Sequence, residues 1–295
     1  MVTRNYLPLL HKTDYKRIMT LNEQLSNMYR PYFNELIAHL KSDKLTDKVQ
    51  PPFQLGLNRD KDGNIALGDE TWYTNADLKI MIFGKEVHEW GWPTLDDGAQ
   101  LVSDDLVEAY EVFYSENYRD TLFQTDNDNK LSKSPFFRGL NVLMNVINEA
   151  LNKLYPGKKP AFIWNEISKL STMVGRNRKV DGSIHEYESK YFHVIPEEIK
   201  LLKPDIVIFL TGFGEPYDGY IKENFQIQST SPVGNISRDD VIKLDLKEVP
   251  LAYKTHHPGT TTVNGHGLND AEKRTHYYAI RDDIAANLNK IQGLQ

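Results

Sequence analysis

Short apolar runs alternate with longer amphipathic segments along this chain. Four of the runs predict buried strands, which are residues 79–83, 161–164, 205–210 and 251–254. Segments with helical periodicity lie between them. Strands that alternate with helices at this spacing predict a three-layer α/β/α fold, in which helices cover both faces of a central, mostly parallel, four-stranded sheet.

The amphipathic segments predict the helices around that sheet. The clearest is 138–154, whose apolar residues share one face and which follows Ser134-Pro135, an N-cap with a proline at the first helical position. The other predicted helices are 14–41 with Pro31 kinking or splitting it, 197–203 between two prolines, and a last helix from a capping box at 269–272 to about 292. Residues 45–74 are predicted to be a polar connection with a turn at Lys61-Asp-Gly-Asn.

The organisation of the chain predicts a single domain over residues 1–295, with a helical N-terminal extension of about residues 1–45 packed on it. We find no internal repeat, low-complexity linker or shift in composition that marks a boundary. A composition of 40% hydrophobic and 26% charged residues is typical of a packed globular core and excludes global disorder. The sequence contains no cysteine, which excludes disulfides, thiolate catalysis and iron–sulfur clusters.

Charge and hydropathy limit the partners and the location that we expect. The longest apolar run, 205–210, is far shorter than the roughly 20 residues of a membrane span, and the N-terminal residues lack the pattern of a signal peptide, so we expect a cytoplasmic protein with no membrane partner. The formal net charge of −6 disfavours a protein that coats nucleic acid by bulk electrostatics. A local basic groove remains compatible with it, because the stretch 169–179 holds Lys169, Arg176, Arg178 and Lys179 and no acidic residue.

The residues that follow the predicted strands are the candidates for a site, since ligands of such sheets bind beyond the carboxyl ends of the strands. After the first strand, Gly84 allows a sharp turn close to a ligand and Glu86 is a candidate general base. After the second strand, Asn165 offers an acceptor and two donors to a planar edge. After the fourth, His257 precedes a Pro-Gly turn and could donate a hydrogen bond to a developing anion.

Other interpretations of these residues stay open. Glu86 could lie on a surface turn, and Asn165 could cap a helix or form a turn. His256 and His257 suggest a metal site, but neighbours on an extended chain point to opposite sides, so no metal is expected. The third strand ends in Thr-Gly-Phe-Gly-Glu-Pro, which lacks both the dinucleotide-loop spacing and the lysine of a phosphate loop.

Taken in order, these segments resemble the uracil-DNA glycosylase superfamily. The resemblance depends on Gly84-Lys-Glu86-Val-His88, Phe162-Ile-Trp-Asn165, the helix–proline–strand stretch 201–212 and His257-Pro258-Gly259, and covers about residues 79–280. It implies a uracil-DNA glycosylase-like fold and base flipping in DNA repair. It also implies a hydrolase that needs no cofactor and no metal, and a DNA partner, single- or double-stranded, that contains a damaged base.

The resemblance also implies a role for individual residues. Glu86 would activate or position the attacking water, and His257 would stabilise the negative charge on the departing base. The residues implied in base binding are Asn165, which would contact the Watson–Crick edge, His88, which would screen the pocket, and Phe136 or Phe137, which would stack on the base. The residues implied in phosphate or DNA binding are Gly84, Pro258, Gly259, Thr260 and Lys169.

The implied stacking role has other candidates among the aromatic residues. Trp90 and Trp164 are the next candidates for stacking, and Phe136 and Phe137 could equally be core residues.

Several positions depart from the family pattern and keep other functions open. Val87 stands where the family usually has proline, Glu86 is one methylene longer than the aspartate of the most active members, and a Gly-Thr-Thr-Thr segment replaces an apolar wedge. The leading hypothesis is a DNA N-glycosylase that removes uracil or another deaminated base. The alternatives are a catalytically silent or repurposed member that binds nucleotide, nucleic acid or protein, and a hydrolase of free nucleosides or nucleotides.

Overall fold

The computed structural model describes residues 18–60, 62–86, 94–96, 100–119, 122–125, 130–172, 182–263, 266–288 and 291. The strands, in chain order, are β1 (Leu78–Glu86), β2 (Tyr118–Arg119), β3 (Leu122–Phe123), β4 (Pro160–Ser168), β5 (Ile206–Phe209), β6 (Ile227–Pro232), β7 (Val241–Leu246), β8 (Leu251–Thr255), β9 (Thr262–Val263) and β10 (His266–Gly267). The helices are α1 (Leu21–Ser42), α2 (Thr71–Thr74), α3 (Ser103–Asn117), α4 (Lys130–Lys133), α5 (Pro135–Leu154), α6 (Gly182–Tyr191), α7 (Ile195–Leu202), α8 (Tyr217–Asn224) and α9 (Asp270–Asn287).

A six-stranded sheet with the order β4-β1-β5-β8-β7-β6 forms the centre of the described part of the chain. Strands β4, β1, β5 and β8 pair in parallel, and they are the four strands predicted from the apolar runs. Strands β7 and β6 continue the sheet in antiparallel pairing. The α/β class and the mostly parallel sheet are confirmed, but the predicted number of four strands is wrong. Strand β6 escaped prediction because it is an exposed edge with the polar sequence Ile-Gln-Ser-Thr-Ser-Pro.

Helices cover both faces of the sheet. On β4, the ring of Trp164 lies 5.1 Å from that of Phe137 in α5, whereas Asn165 Nδ2 donates to Glu198 in α7 at 2.9 Å. Successive side chains of a strand point to opposite faces, so α5 and α7 lie on opposite sides of the sheet. The carboxyl ends of the four parallel strands therefore share one edge, between these two helical layers.

The strongest helix predictions are confirmed, with differences at the ends. Helix α5 begins at Pro135, and the Ser134 hydroxyl accepts from the Phe137 N–H at 3.4 Å. Helix α9 opens with the predicted capping box at Asn269 but ends at Asn287 instead of about 292. Helix α1 is capped by Thr20 and continues through Pro31, so residues 18–20 are not helical, and 14–17 lie outside the described residues.

Helix α1 and the segment after it contribute to the core. Helix α1 packs against α3, α6 and α7. The stretch after it was predicted to be polar, and this is wrong, because Phe53, Leu55 and Leu57 are buried. Backbone N–H groups of Gln50 and Phe53 bond to carbonyls just beyond β4 at 2.9 and 2.8 Å, which draws the stretch into the interior. The turn predicted at residues 61–64 is supported by a bond of 2.8 Å from the Asp60 N–H to the Asn64 carbonyl, although Lys61 itself lies outside the described residues. Among the described helices, none is long and apolar enough to cross a membrane.

Candidate active site at the carboxyl edge of the sheet

A cavity of about 330 Å³ opens where β1 and β4 end, between α5 and the segment that follows β8. Its volume falls in the range of roughly 300–1,000 Å³ that is typical of small-molecule sites. The predicted residues that line it are Glu86, Phe136, Phe137, Trp164, His257 and Gly259. Segments far apart in sequence therefore meet at the strand ends, as expected for this class of sheet.

Glu86 is the last residue of β1 and presents a carboxylate to the cavity. The Tyr217 hydroxyl donates a hydrogen bond to Glu86 Oε2, and Lys85 Nζ lies 4.8 Å from the centre of the Tyr217 ring. Burial raises the pKa of Glu86, and the Tyr217 hydrogen bond and the Lys85 charge partly oppose that rise. A partly desolvated carboxylate whose orientation is set by a hydroxyl can accept a proton from a water molecule.

His257 is a neutral hydrogen-bond donor in this cavity. Its Nδ1 accepts from the Gly259 N–H at 3.0 Å, so the proton of the neutral ring lies on Nε2. Burial lowers the pKa of His257 to about 3, and the charges of Lys85 and Lys273 add to the effect. The ring is therefore neutral near pH 7, and it can stabilise an anion through Nε2–H without transferring a proton.

Contacts with α9 and α5 and a hydrogen bond within the turn hold the turn that carries His257. The Lys273 ammonium donates to the Pro258 carbonyl at 2.8 Å, and the Thr260 N–H donates to the His257 carbonyl at 2.8 Å. A Cβ on Gly139 of α5 would lie only 2.4 Å from Pro258 Cβ, so this glycine lets the turn approach the helix. Pro258 and Thr260, predicted to bind phosphate, are observed here in positioning contacts.

Phe136 forms an aromatic wall against His257. The two ring centres are 5.6 Å apart and the planes differ by 20°, which is a stacked arrangement. Phe137 is 9% exposed and packs edge-on against Trp164, so it serves mainly as core. Of the two predicted stacking residues, Phe136 offers the more accessible face to a ligand.

The base-binding role predicted for Asn165 needs correction. The side chain is completely buried and lies on the face of the sheet opposite to Trp164 and Glu166. Its Nδ2 donates to Glu198 at 2.9 Å, and its Oδ1 accepts from Lys169 Nζ at 2.5 Å. With these partners and no exposure, Asn165 does not reach the cavity.

The DNA-binding role predicted for Lys169 also needs correction. Its ammonium is completely buried and forms an ion pair with Glu198 at 2.7 Å. A buried, paired charge is not accessible to a phosphate backbone. Three further predictions, on the base-screening His88, on Trp90 and on the basic residues 176–179, lie outside the described residues.

Glu166 is a cavity residue that the sequence analysis missed. It is 3% exposed, and the Trp164 indole N–H donates to its Oε1 at 2.8 Å. On the neighbouring strand, Gly84 pairs in register with Glu166, and a Cβ on Gly84 would lie 2.4 Å from Glu166 Oε2. Because Gly84 has no side chain, it leaves room for the buried carboxyl group of Glu166. The signal in the sequence was an acidic residue next to Asn165, at the end of a predicted strand.

Substituting Gly84→Ala tests this close packing. We expect a loss of about 1–3 kcal/mol in the free energy of unfolding, because the new methyl group would force the buried carboxyl group aside. Urea unfolding measures the change. Gly182→Ala is the matched control, since a Cβ there meets no atom of the described residues within 4 Å, and its stability should be unchanged or slightly higher. Equal stabilities of the two variants would contradict the packing.

Comparisons with known proteins leave the chain without a family assignment. No protein-family model matches the sequence, and no curated protein is significantly similar to it. The chemistry of the cavity residues is therefore what bears on function.

Proposed function

We propose that this protein is a uracil-DNA glycosylase-like N-glycosylase that hydrolyses the bond between a deaminated base and its sugar in DNA. One observation carries the proposal: Glu86, His257 and Phe136 converge on a single cavity at the carboxyl edge of the sheet. These three residues are a carboxylate, a neutral N–H donor and an aromatic wall, which are the groups that this reaction needs.

The chemistry of the bond explains the need. As the bond between C1′ and the base nitrogen lengthens, positive charge grows on the sugar and negative charge grows on the base. The Glu86 carboxylate suits the sugar side, where it stabilises the cation and takes a proton from the attacking water. His257 Nε2–H suits the base side. Phe136 would stack on a base that has left the duplex or that belongs to a single strand.

Cleavage of labelled oligonucleotides tests the proposal. Single- and double-stranded substrates with one uracil or one hypoxanthine are incubated with pure protein, and abasic sites are converted to breaks with alkali. We expect cleavage by the wild type, and a rate about 10²- to 10³-fold lower for His257→Ala, which is the usual scale for losing one donor to a developing anion.

His193→Ala is the control for this experiment, because His193 is an exposed histidine in the segment before α7. Its rate should equal that of the wild type. Absence of cleavage on every deaminated base by folded protein would overturn the proposed reaction, and binding of nucleotide or DNA would then be measured by titration.

The burial of Lys169 favours a second candidate, a hydrolase of free nucleosides or nucleotides. That reaction uses the same cavity and needs no basic surface for a phosphate backbone, and the net charge is −6. Free deoxyuridine and deoxyinosine assayed beside the oligonucleotides separate the two candidates. Faster release of base from the free nucleosides would favour the second.

A further inference from the structure

The buried carboxyl group of Glu166 lines the cavity but has no role in the reaction as proposed so far. Trp164 satisfies its Oε1, whereas its Oε2 has no hydrogen-bond partner among the described residues. A buried carboxylate oxygen without a donor is costly, but a protonated oxygen in the same position is itself a donor that is ready for a ligand.

Glu86 and Glu166 form an acidic pair. Gly84 and Glu86 point to the same face of β1, and Gly84 lies beside Glu166 in register, so both carboxyl groups line the same cavity. Burial raises the pKa of Glu166 well above its ordinary value, and the nearby charge of Glu86 raises it further. Two carboxyl groups that repel each other hold one proton between them, and the more deeply buried member keeps it.

We propose that Glu166 is the general acid of the reaction and protonates the departing base, and that the preferred substrate is therefore a deaminated purine, hypoxanthine, over uracil. This inference rests on the proposed N-glycosylase function. It adds the source of the proton and the class of base.

The proton and electron balance of this step closes within the site. The C1′–N bond breaks, its electron pair moves into the base, and a basic ring nitrogen of the purine takes the proton from Glu166. Water forms the new C1′–O bond and transfers a proton to Glu86. The two carboxyl groups share one proton and one negative charge before and after the step, so no further reactant is needed.

Because His257 is neutral, another group has to supply the proton that a departing purine takes up. With a pKa of about 3, the ring is almost entirely neutral near neutral pH. Its Nε2–H can donate a hydrogen bond, but the ring lacks the second, acidic proton that only the imidazolium could transfer to the base. Uracil can leave as an anion because two carbonyl groups delocalise its charge, and a donor such as His257 suffices for it. A purine leaves more readily when a ring nitrogen is protonated, which is the task available to Glu166.

A comparison of two leaving groups tests the assignment. The substrates are oligonucleotides with hypoxanthine or with 5-fluorouracil, whose anion leaves without protonation. For Glu166→Gln we expect a rate on hypoxanthine that is about 10²- to 10⁴-fold lower, and a rate on 5-fluorouracil within about threefold of the wild type. Glutamine keeps the size and a hydrogen-bond donor but cannot supply a proton, so the difference reports proton transfer.

Glu111→Gln is the control for removing a buried carboxyl group, because Glu111 is 4% exposed on α3 and its pKa is raised to about 6. It should change neither rate. Infrared spectra of the wild type give a readout without activity, since the band of a protonated carboxyl group should persist above the ordinary titration range of glutamate and disappear in Glu166→Gln.

Each other outcome has a definite meaning. Equal losses on both substrates would assign Glu166 a structural or positioning role, and no loss on either would remove it from the mechanism. A wild type that cleaves uracil faster than hypoxanthine would overturn the substrate class. A wild type that cleaves no substrate would overturn the proposed function itself, and this result is distinct from the other three.

Discussion

Replacing Glu86 with glutamine should reduce the rate of base release by about 10²- to 10⁴-fold, which is the contribution typical of general base catalysis. The substitution keeps the size of the side chain and a carbonyl that can accept the hydrogen bond from Tyr217. It removes the negative charge and the ability to take a proton from water. Single-turnover cleavage of a hypoxanthine oligonucleotide measures the loss.

The pH profile of the wild type should carry the signature of this base. Glu86 acts as the carboxylate, and burial raises its pKa, so the rate should fall as the pH drops through that raised value. The Tyr217 hydrogen bond lowers the pKa of Glu86. In Tyr217→Phe, the fall in rate should therefore begin at a higher pH than in the wild type. An unchanged profile would contradict the contact between these two residues.

Glu108→Gln is a suitable control for the Glu86 variant, because Glu108 is exposed on α3 and outside the cavity. Its rate should match that of the wild type. If Glu86→Gln kept nearly full activity, water activation would have to be assigned to another group.

The parallel strands of the sheet were predictable because a strand that is buried on both faces has a continuous run of apolar residues. Strand β6 and helix α3 were not. Helix α3 carries Asp104 and Asp105 in its first turn, although Leu106, Tyr110 and Tyr114 bury one of its faces. A strong charge pattern masked a helical period, since charged residues on the exposed face say nothing about the face that packs.

The candidate site shows a similar limit. Strand ends pointed to Glu86 and His257, and both line the cavity. Asn165 and Glu166 directly follow the second predicted strand, 161–164, and were equally near the expected site, but the resemblance favoured Asn165. Only one of two successive strand residues can face a given helical layer, and the packing of the whole sheet decides which. That decision depends on distant contacts, which the local sequence does not contain.

Lys169 illustrates why charge patterns mislead most when a charge is internal. Its ammonium is bound by Glu198 at 2.7 Å and Asn165 at 2.5 Å, and it lies 5.2 Å from the centre of the Phe53 ring. Burial lowers the pKa of Lys169, and Glu198 opposes that shift. The Tyr29 hydroxyl donates to Glu198 as well, so α1, β4 and α7 meet at this cluster.

Replacing Lys169 with methionine should lower the free energy of unfolding by about 3–5 kcal/mol, because it leaves the Glu198 carboxylate buried without its cation. Urea unfolding at neutral pH measures the loss. Adding Glu198→Gln to the same chain should restore part of it, since the uncompensated charge is then gone while the amide oxygen can still accept a hydrogen bond from Tyr29 or Asn165.

An exposed ion pair on α7, the helix that carries Glu198, is the matched control for this prediction. Lys200 and Glu197 are 3.4 Å apart with side chains 75% and 42% exposed, so Lys200→Met should change stability by no more than about 0.5 kcal/mol. A similar small change for Lys169→Met would mean that Lys169 is accessible to solvent. The DNA-binding role predicted for Lys169 from the sequence would then be possible again. The salt dependence of DNA binding would be the quantity to measure.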